Sequence, residues 1–148
     1  MSAGALELTC YMQTREKGNL TEAKILAALV TAGYLVSVPF GEGHKYDFII
    51  DDSVSLRRVQ CKTGRVKNGA LLFNSYSQSG NGATKQGYHG LADLFAVLNP
   101  ENGEVYLVPV ESFGATGITL RLTPTLNGQV QRVNRAVDYL LTPLRQAD

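Results

Sequence analysis

The sequence predicts a mixed fold, α/β or α+β, built on one central mixed β-sheet. Three observations carry this. A stretch near the N-terminus repeats its apolar residues at intervals of three and four, the period of a helix. Several later stretches are short, rich in β-branched and aromatic residues, and bounded by Gly, Pro, Asn or Asp, which marks strands. The order runs helix, strands, long polar loop, strands, helix-leaning tail, which suits helices layered on a sheet. A chain of 148 residues is the size of one domain and can bury a core without staples. With 44% apolar and 18% charged residues it is a folding chain, not a disordered one.

Each element has a local cause. Residues 1–16 show no strong period and read as a short helix or an arm. From Asn19 onward Ala23, Leu26, Ala27 and Val30 keep helical spacing, with Leu29 beside them. Asn19 reads as an N-cap and Glu22, three residues on, has capping-box spacing. Gly33 stands where a C′ glycine would end the helix. "YLVSVPF" reads as a strand closed by Pro39 and the turn "GEGH". "YDFIID" and "SLRRVQCK" read as two strands joined by an acidic turn at Asp51, Asp52 and Ser53. "GALLFNSYS" reads as a continuation of the sheet.

Residues 77–90, with "QSGNGATKQGYHG", are a loop by composition and longer than a plain turn needs, which points to function. The spacing is not that of a phosphate-binding P-loop. "LADLFAVLNP" and "GEVYLVPV" read as strands around the turn "NPENG". "ITLRLTP" reads as a further strand, and "NRAVDYLL" leans helical. There is no internal repeat.

Composition narrows the function. Cys10 and Cys61 lack the spacing of a metal site or a disulfide framework, and a reducing cytoplasm fits them. The apolar run "ILAALVTAGYLV" is interrupted by Gly33 and is short of the ~20 residues that span a bilayer. No basic-then-apolar leader opens the chain. A cytoplasmic protein without a membrane partner is therefore expected. The net charge of +1 hides a local pattern: "RRVQCKTGRVK" carries Arg57, Arg58, Lys62, Arg65 and Lys67 with no acid among them. Tyr76, Lys85 and Tyr88 flank or lie in the long loop. Read as a DNA surface, these residues would hold phosphates and release counterions. The plainer reading of the run is a solvated basic strand end.

The hairpin of "YDFIID" and "SLRRVQCK" carries the chemistry. Side chains alternate faces with period two. Arg58, Gln60 and Lys62 therefore share one face, while Val59, Cys61 and Thr63 share the other and can pack on a core. Asp47 and Ile49 share a face; Phe48 and Ile50 take the opposite one. A tight turn near Asp52 then brings Asp47 close to Gln60 and Lys62, with a register open by one residue. An aspartate can hold a hard divalent cation that keeps several waters. Gln60 offers a neutral oxygen. Such an ion activates water and offsets charge developing on a phosphate, and Lys62 adds a point charge beside it. These are the needs of phosphodiester hydrolysis. Singly, each residue has a plainer role: Glu22 caps a helix, Asp47 and Lys62 end strands, His44 is a polar turn residue, and Cys61 is a small buried hydrophobe.

On these residues, "YDFII…VQCKTGR" resembles the PD-(D/E)XK nuclease motif, with Asp47 at the aspartate and Gln60-Cys61-Lys62 at the (D/E)-X-K. "GNLTEAKILAALVTAGYLVSVPFGE" resembles the N-terminal helix and first strand of that family, with Glu22 at a helix glutamate that completes the metal site. More narrowly, residues 17 to about 110 resemble the bacterial group I intron-encoded homing endonucleases of this fold, and "NRAVDYLL" extends the likeness. Tyr46 departs from the motif's proline, and Gln60 from its acid, a change the intron-encoded branch tolerates.

The resemblance implies a restriction-endonuclease-like core, its sheet flanked by helices. It implies one nuclease domain over 1–148, with an N-terminal arm or helix at 1–16, a core at 17–110 and a C-terminal extension at 111–148. It implies a site-specific, double-strand DNA endonuclease using Mg2+, with Mn2+ as substitute, in the bacterial cytoplasm. Glu22, Asp47, Gln60 and Lys62 would be catalytic, with the metal at Asp47, Glu22, Gln60 and Cys61. A homo-oligomer, dimer or tetramer, would read a long and partly palindromic site. Two other readings of the same core stay open: a nuclease like a Holliday-junction resolvase, and an inactive DNA-binding module, which the neutral Gln60 would suit.

Overall fold

Helix α1 spans Thr14–Thr31 in a computed structural model that describes residues 14–78 and 84–144. It starts five residues before Asn19, so the expected capping box does not form: Asn19 and Glu22 lie inside the helix. Glu22 is thereby free of a capping role. The rest of the predicted arm, residues 1–13, lies outside the described residues. The C-terminal signal holds. Gly33 adopts φ +97°, its N–H reaches Val30 O at 3.0 Å, and the Tyr34 N–H reaches Leu29 O at 3.1 Å. This is a Schellman closure. Thr21, Ile25 and Leu29, four apart, form the buried stripe.

Ten strands follow among the described residues: β1 Leu35–Ser37, β2 Phe48–Asp51, β3 Leu56–Thr63, β4 Arg65–Lys67, β5 Ala70–Asn74, β6 Tyr76–Gln78, β7 Lys85–Gly87, β8 Leu94–Leu98, β9 Val105–Pro109 and β10 Gly117–Arg121. Five of them build the central sheet in the order β1-β2-β3-β8-β9. Only β3 and β8 run parallel; the other pairs are antiparallel. The sheet is therefore mixed, as expected. β8 and β9 form the expected pair around "NPENG".

"GALLFNSYS" does not continue this sheet. β3 already has β2 and β8 as neighbours, and the chain leaves it at Gly64, whose N–H donates to Leu98 O at 2.8 Å. A Cβ there would lie within 2.4 Å of the Leu71 side chain, so only glycine lets β5 fold back so closely. β5 instead centres a second sheet, β10-β5-β4. The long polar loop is built on a two-stranded base, β6 paired with β7; residues 79–83 lie outside the described residues.

The tail differs too. "NRAVDYLL" yields only a 3-10 turn, Ala136–Tyr139. Beyond it Leu140 bridges Tyr106, and the Leu141 N–H donates to Val105 O at 2.9 Å. The open edge of β9 captures this backbone in extended form before a helix can propagate.

Alternation along β8 shows how the layers pack. Leu94, Ala96 and Leu98 turn toward α1 and meet Ile25, Leu29, Phe48, Ile50 and Val59. Phe95 and Val97 turn the other way, onto Leu71, Phe73, Ile118 and Leu120 of the second sheet. A strand covered on both faces reads as an unbroken apolar run, which "LFAVL" is. Among the described residues a helix covers one face and a sheet the other, so helices do not flank both sides. No helix among these residues is long and apolar enough to cross a membrane.

Candidate active site

The turn between β2 and β3 sets the geometry. Asp52 accepts from the Val54 and Ser55 N–H groups at 2.9 and 2.8 Å and from Arg57 at 2.5 Å. This Asx-type turn fixes the register Phe48↔Val59 and Ile49↔Arg58. Extending that register by one residue puts Asp47 across from Gln60. The Asp47 N–H donates to Val59 O at 2.8 Å, and its Oδ2 accepts the Cys61 N–H at 2.7 Å. Backbone groups on both sides of Gln60 thus hold this aspartate.

Glu22 arrives from α1. The Thr21 and Thr63 hydroxyls meet at 2.7 Å and pin the helix to the end of β3. The Glu22 carboxyl then lies against Asp47 and hydrogen-bonds it. Burial, the Asp47 charge and that hydrogen bond all raise the Glu22 pKa above the usual carboxylate value.

Lys62 lies on the opposite face of the sheet from Cys61. Its Nζ donates to Tyr76 O at 3.1 Å, approaches the Tyr88 hydroxyl at 3.5 Å, and sits 4.7 Å from the centre of the Tyr88 ring. Burial pulls its pKa down to about 8, against the opposing pull of Asp47. Gln60 is half-buried, and its amide nitrogen makes one long contact, 3.4 Å, to Cys61 O. Glu22, Asp47, Gln60 and Lys62 therefore lie at one end of the sheet, with Glu22 on the α1 side and Lys62 on the other.

The donor set fits a hard divalent ion. Among the described residues no cluster of three or more His, Cys, Asp or Glu side chains is arranged for a metal. Two carboxylates and an amide oxygen still suit an ion that keeps several waters. A cation bound between Glu22 and Asp47 would offset the crowding that, after burial, raises the Glu22 pKa. The Cys61 thiol is buried, and burial together with Asp47 and Glu22 pushes its pKa up. A soft sulfur suits a hard ion of this kind poorly; the contact that Cys61 makes with the site is its backbone N–H, which orients Asp47.

The basic residues divide into two groups. Arg57 pairs with Asp52, and Arg58 makes a two-point contact with Asp93 at 3.2 and 3.0 Å while reaching Gly90 O at 2.9 Å. Both sit at the start of β3, about 13–17 Å along the strand from Lys62. Arg65 and Lys67 are exposed on β4. Lys85 Nζ stacks 4.6 Å from the Tyr76 ring. Tyr88 differs from expectation: it is only 7% exposed and packs edge-on against Phe95, 5.5 Å between centres. Its ring is core rather than surface, and its hydroxyl serves Lys62. Period-two reasoning found the β3 residues. The Thr21–Thr63 contact and the Tyr88 packing join residues 42 and 7 positions apart, and no local pattern announces either.

A family model described as PD-(D/E)XK endonuclease matches residues 12–142. The structure is also similar to that of a bacterial homing endonuclease, I-Ssp6803I, with a TM-score of 0.61, 23% identity and 86% of each chain covered. No curated protein matches the chain.

Proposed function

We propose that this chain, which belongs to the PD-(D/E)XK endonuclease family, is a metal-dependent, site-specific double-strand DNA endonuclease of the intron-homing kind. The observation that carries this is the grip of β3 on Asp47, whose carboxylate lies against Glu22 of α1 while its backbone pairs across the hairpin beside Gln60. Asp47, Glu22 and Gln60 would hold Mg2+, or Mn2+ in its place. When bound, that ion lowers the pKa of water and offsets charge on the scissile phosphate. Asp47 needs no rearrangement to take its place, because two backbone hydrogen bonds already fix it. Lys62 contributes a positive charge beside the phosphate, braced by Tyr76 O and the Tyr88 ring.

Arg65 and Lys67 hold the DNA backbone next to the cut, and Tyr76 and Lys85 extend that contact along the β6–β7 arm. Arg57 and Arg58 brace the hairpin, their charges offset by Asp52 and Asp93. A homo-oligomer, dimer or tetramer, in the bacterial cytoplasm completes the reading. One observation favours a second reading: among the described residues the site has two carboxylates, with the neutral Gln60 at the motif's acidic position. An inactive DNA-binding module would look like this. Incubation with a random duplex library and Mg2+, followed by mapping of cut ends, separates the readings. Recurrent paired cuts at one long site are expected. Binding without any cuts favours the inactive module, and cuts only at branched DNA favour a junction nuclease.

A further inference from the structure

Charge is segregated along this chain. Residues 53–92 and 112–137 hold nine lysines and arginines and no aspartate or glutamate, so the remainder carries a formal −8 against the overall +1. The fold joins the two acid-free stretches. β4 and β5 come from the first, β10 from the second, and they form one sheet. Leu71, Phe73, Ile118 and Leu120 face its buried side. Its outward side carries Arg65, Leu72 and Thr119 in one cross-strand row and Lys67, Ala70 and Arg121 in the next. Each row spans about 10 Å, and the rows lie about 7 Å apart.

Two shallow grooves cross this face. One is lined by Thr63, Arg65, Asn74 and Thr119, the other by Thr119, Arg121, Arg132 and Asn134. They share Gly117, Ile118 and Thr119, so one path runs from Thr63, the neighbour of Lys62, to Arg132. The cations on it are available. Arg65, Lys67 and Arg132 form no ion pair with a described acid, unlike Arg57 and Arg58. Arg121 is held by the neutral carbonyls of Asn68, Thr123 and Pro124 at 3.0, 3.1 and 3.2 Å. Those contacts fix its position without cancelling its charge.

We propose that the outward face of the β10-β5-β4 sheet is a second contact surface for double-stranded DNA, with Arg121 and Arg132 gripping phosphates beyond the scissile site. This rests on the endonuclease reading and extends it. The strands of the face turn no aromatic ring outward, and the rings at its grooves, Phe73 and Phe113, are buried and half-buried, so it offers no row of stacking platforms of the kind single strands use. Cations separated by Thr and Asn side chains suit a phosphate backbone instead.

Arg121 supports its own turn, so Arg132→Gln and Thr119→Glu, both at exposed positions, are the better variants. Lys24→Gln removes one exposed charge from α1, on the other side of the molecule. The measurement is affinity of the full chain for a long random-sequence duplex, with magnesium chelated, across a salt series; melting curves confirm folding. Arg132→Gln should flatten the log–log salt slope by about one unit. Thr119→Glu should weaken binding several-fold, and Lys24→Gln should leave the slope unchanged. A parental slope in Arg132→Gln, or an equal loss in Lys24→Gln, overturns the proposal. So does an RNA hairpin that binds more tightly than the duplex and loses that affinity in the same variants. Cleavage by Asp47→Asn is the separate control: full activity there would sink the endonuclease reading without moving any salt slope.

Discussion

Lys62 is the residue on which stability and function pull hardest against each other. Burial lowers its pKa from the ordinary 10.5 to about 8. Below pH 8 both folded and unfolded chains carry the proton, and the cost of burying the charge is fully present. Between 8 and 10.5 the folded chain sheds its proton first, so stability rises with pH across that window. Lys62→Met should therefore melt higher than the parent near neutral pH, by up to about 3 kcal/mol, with the gain vanishing as pH nears 10.5. Thermal melts of the metal-free protein across pH check this; a lower melting point for the variant at pH 7 contradicts it. Gln60 carries the matching functional prediction. Gln60→Ala should lower cleavage through weaker metal binding, and added magnesium should recover part of the rate. Identical magnesium titrations for parent and variant would remove Gln60 from the ligand set. Asp47, Gln60 and Lys62 were legible in the sequence because strand periodicity is local. The burial of Tyr88 was not, because it depends on Phe95, which a different strand delivers.

Helix α1 shows what elements add to residues. Its apolar period and its Gly33 stop were readable, since both are written in neighbouring residues. Its start was not: the Asn19 and Glu22 spacing mimics a cap within a helix that already runs from Thr14. That same displacement turns Glu22 from a cap into a partner of Asp47. The Thr21–Thr63 hydroxyl contact sets the reach of the helix. Thr21→Val keeps the shape, removes that bond, and should cost about 1 kcal/mol. Cleavage should fall further than this loss of stability explains, because Glu22 is no longer positioned. Paired melting and cleavage measurements test it, and an unchanged rate would make the contact merely structural. The tail element failed in the opposite sense. "NRAVDYLL" has helical residues, but the free edge of β9 offers hydrogen bonds that a short helix cannot match.

At the scale of the whole molecule, one sheet separates two kinds of surface. α1 covers the face that delivers Glu22, and the acid-free second sheet covers the face that delivers Lys62. The central sheet was foreseen, whereas the second sheet was not, because pairing of β5 with β10 joins segments more than forty residues apart. The proposed catalytic end lies at one end of the central sheet, where Asp47 meets Glu22 of α1 and its charge acts on Lys62. The most direct measurement is cleavage of the duplex library by Asp47→Asn at saturating magnesium, beside the parent, with melting and DNA affinity recorded for both. Loss of the anionic ligand should cut the rate by more than about 100-fold while the fold and DNA binding persist. A variant that cuts at the parental rate would contradict the assignment of this site.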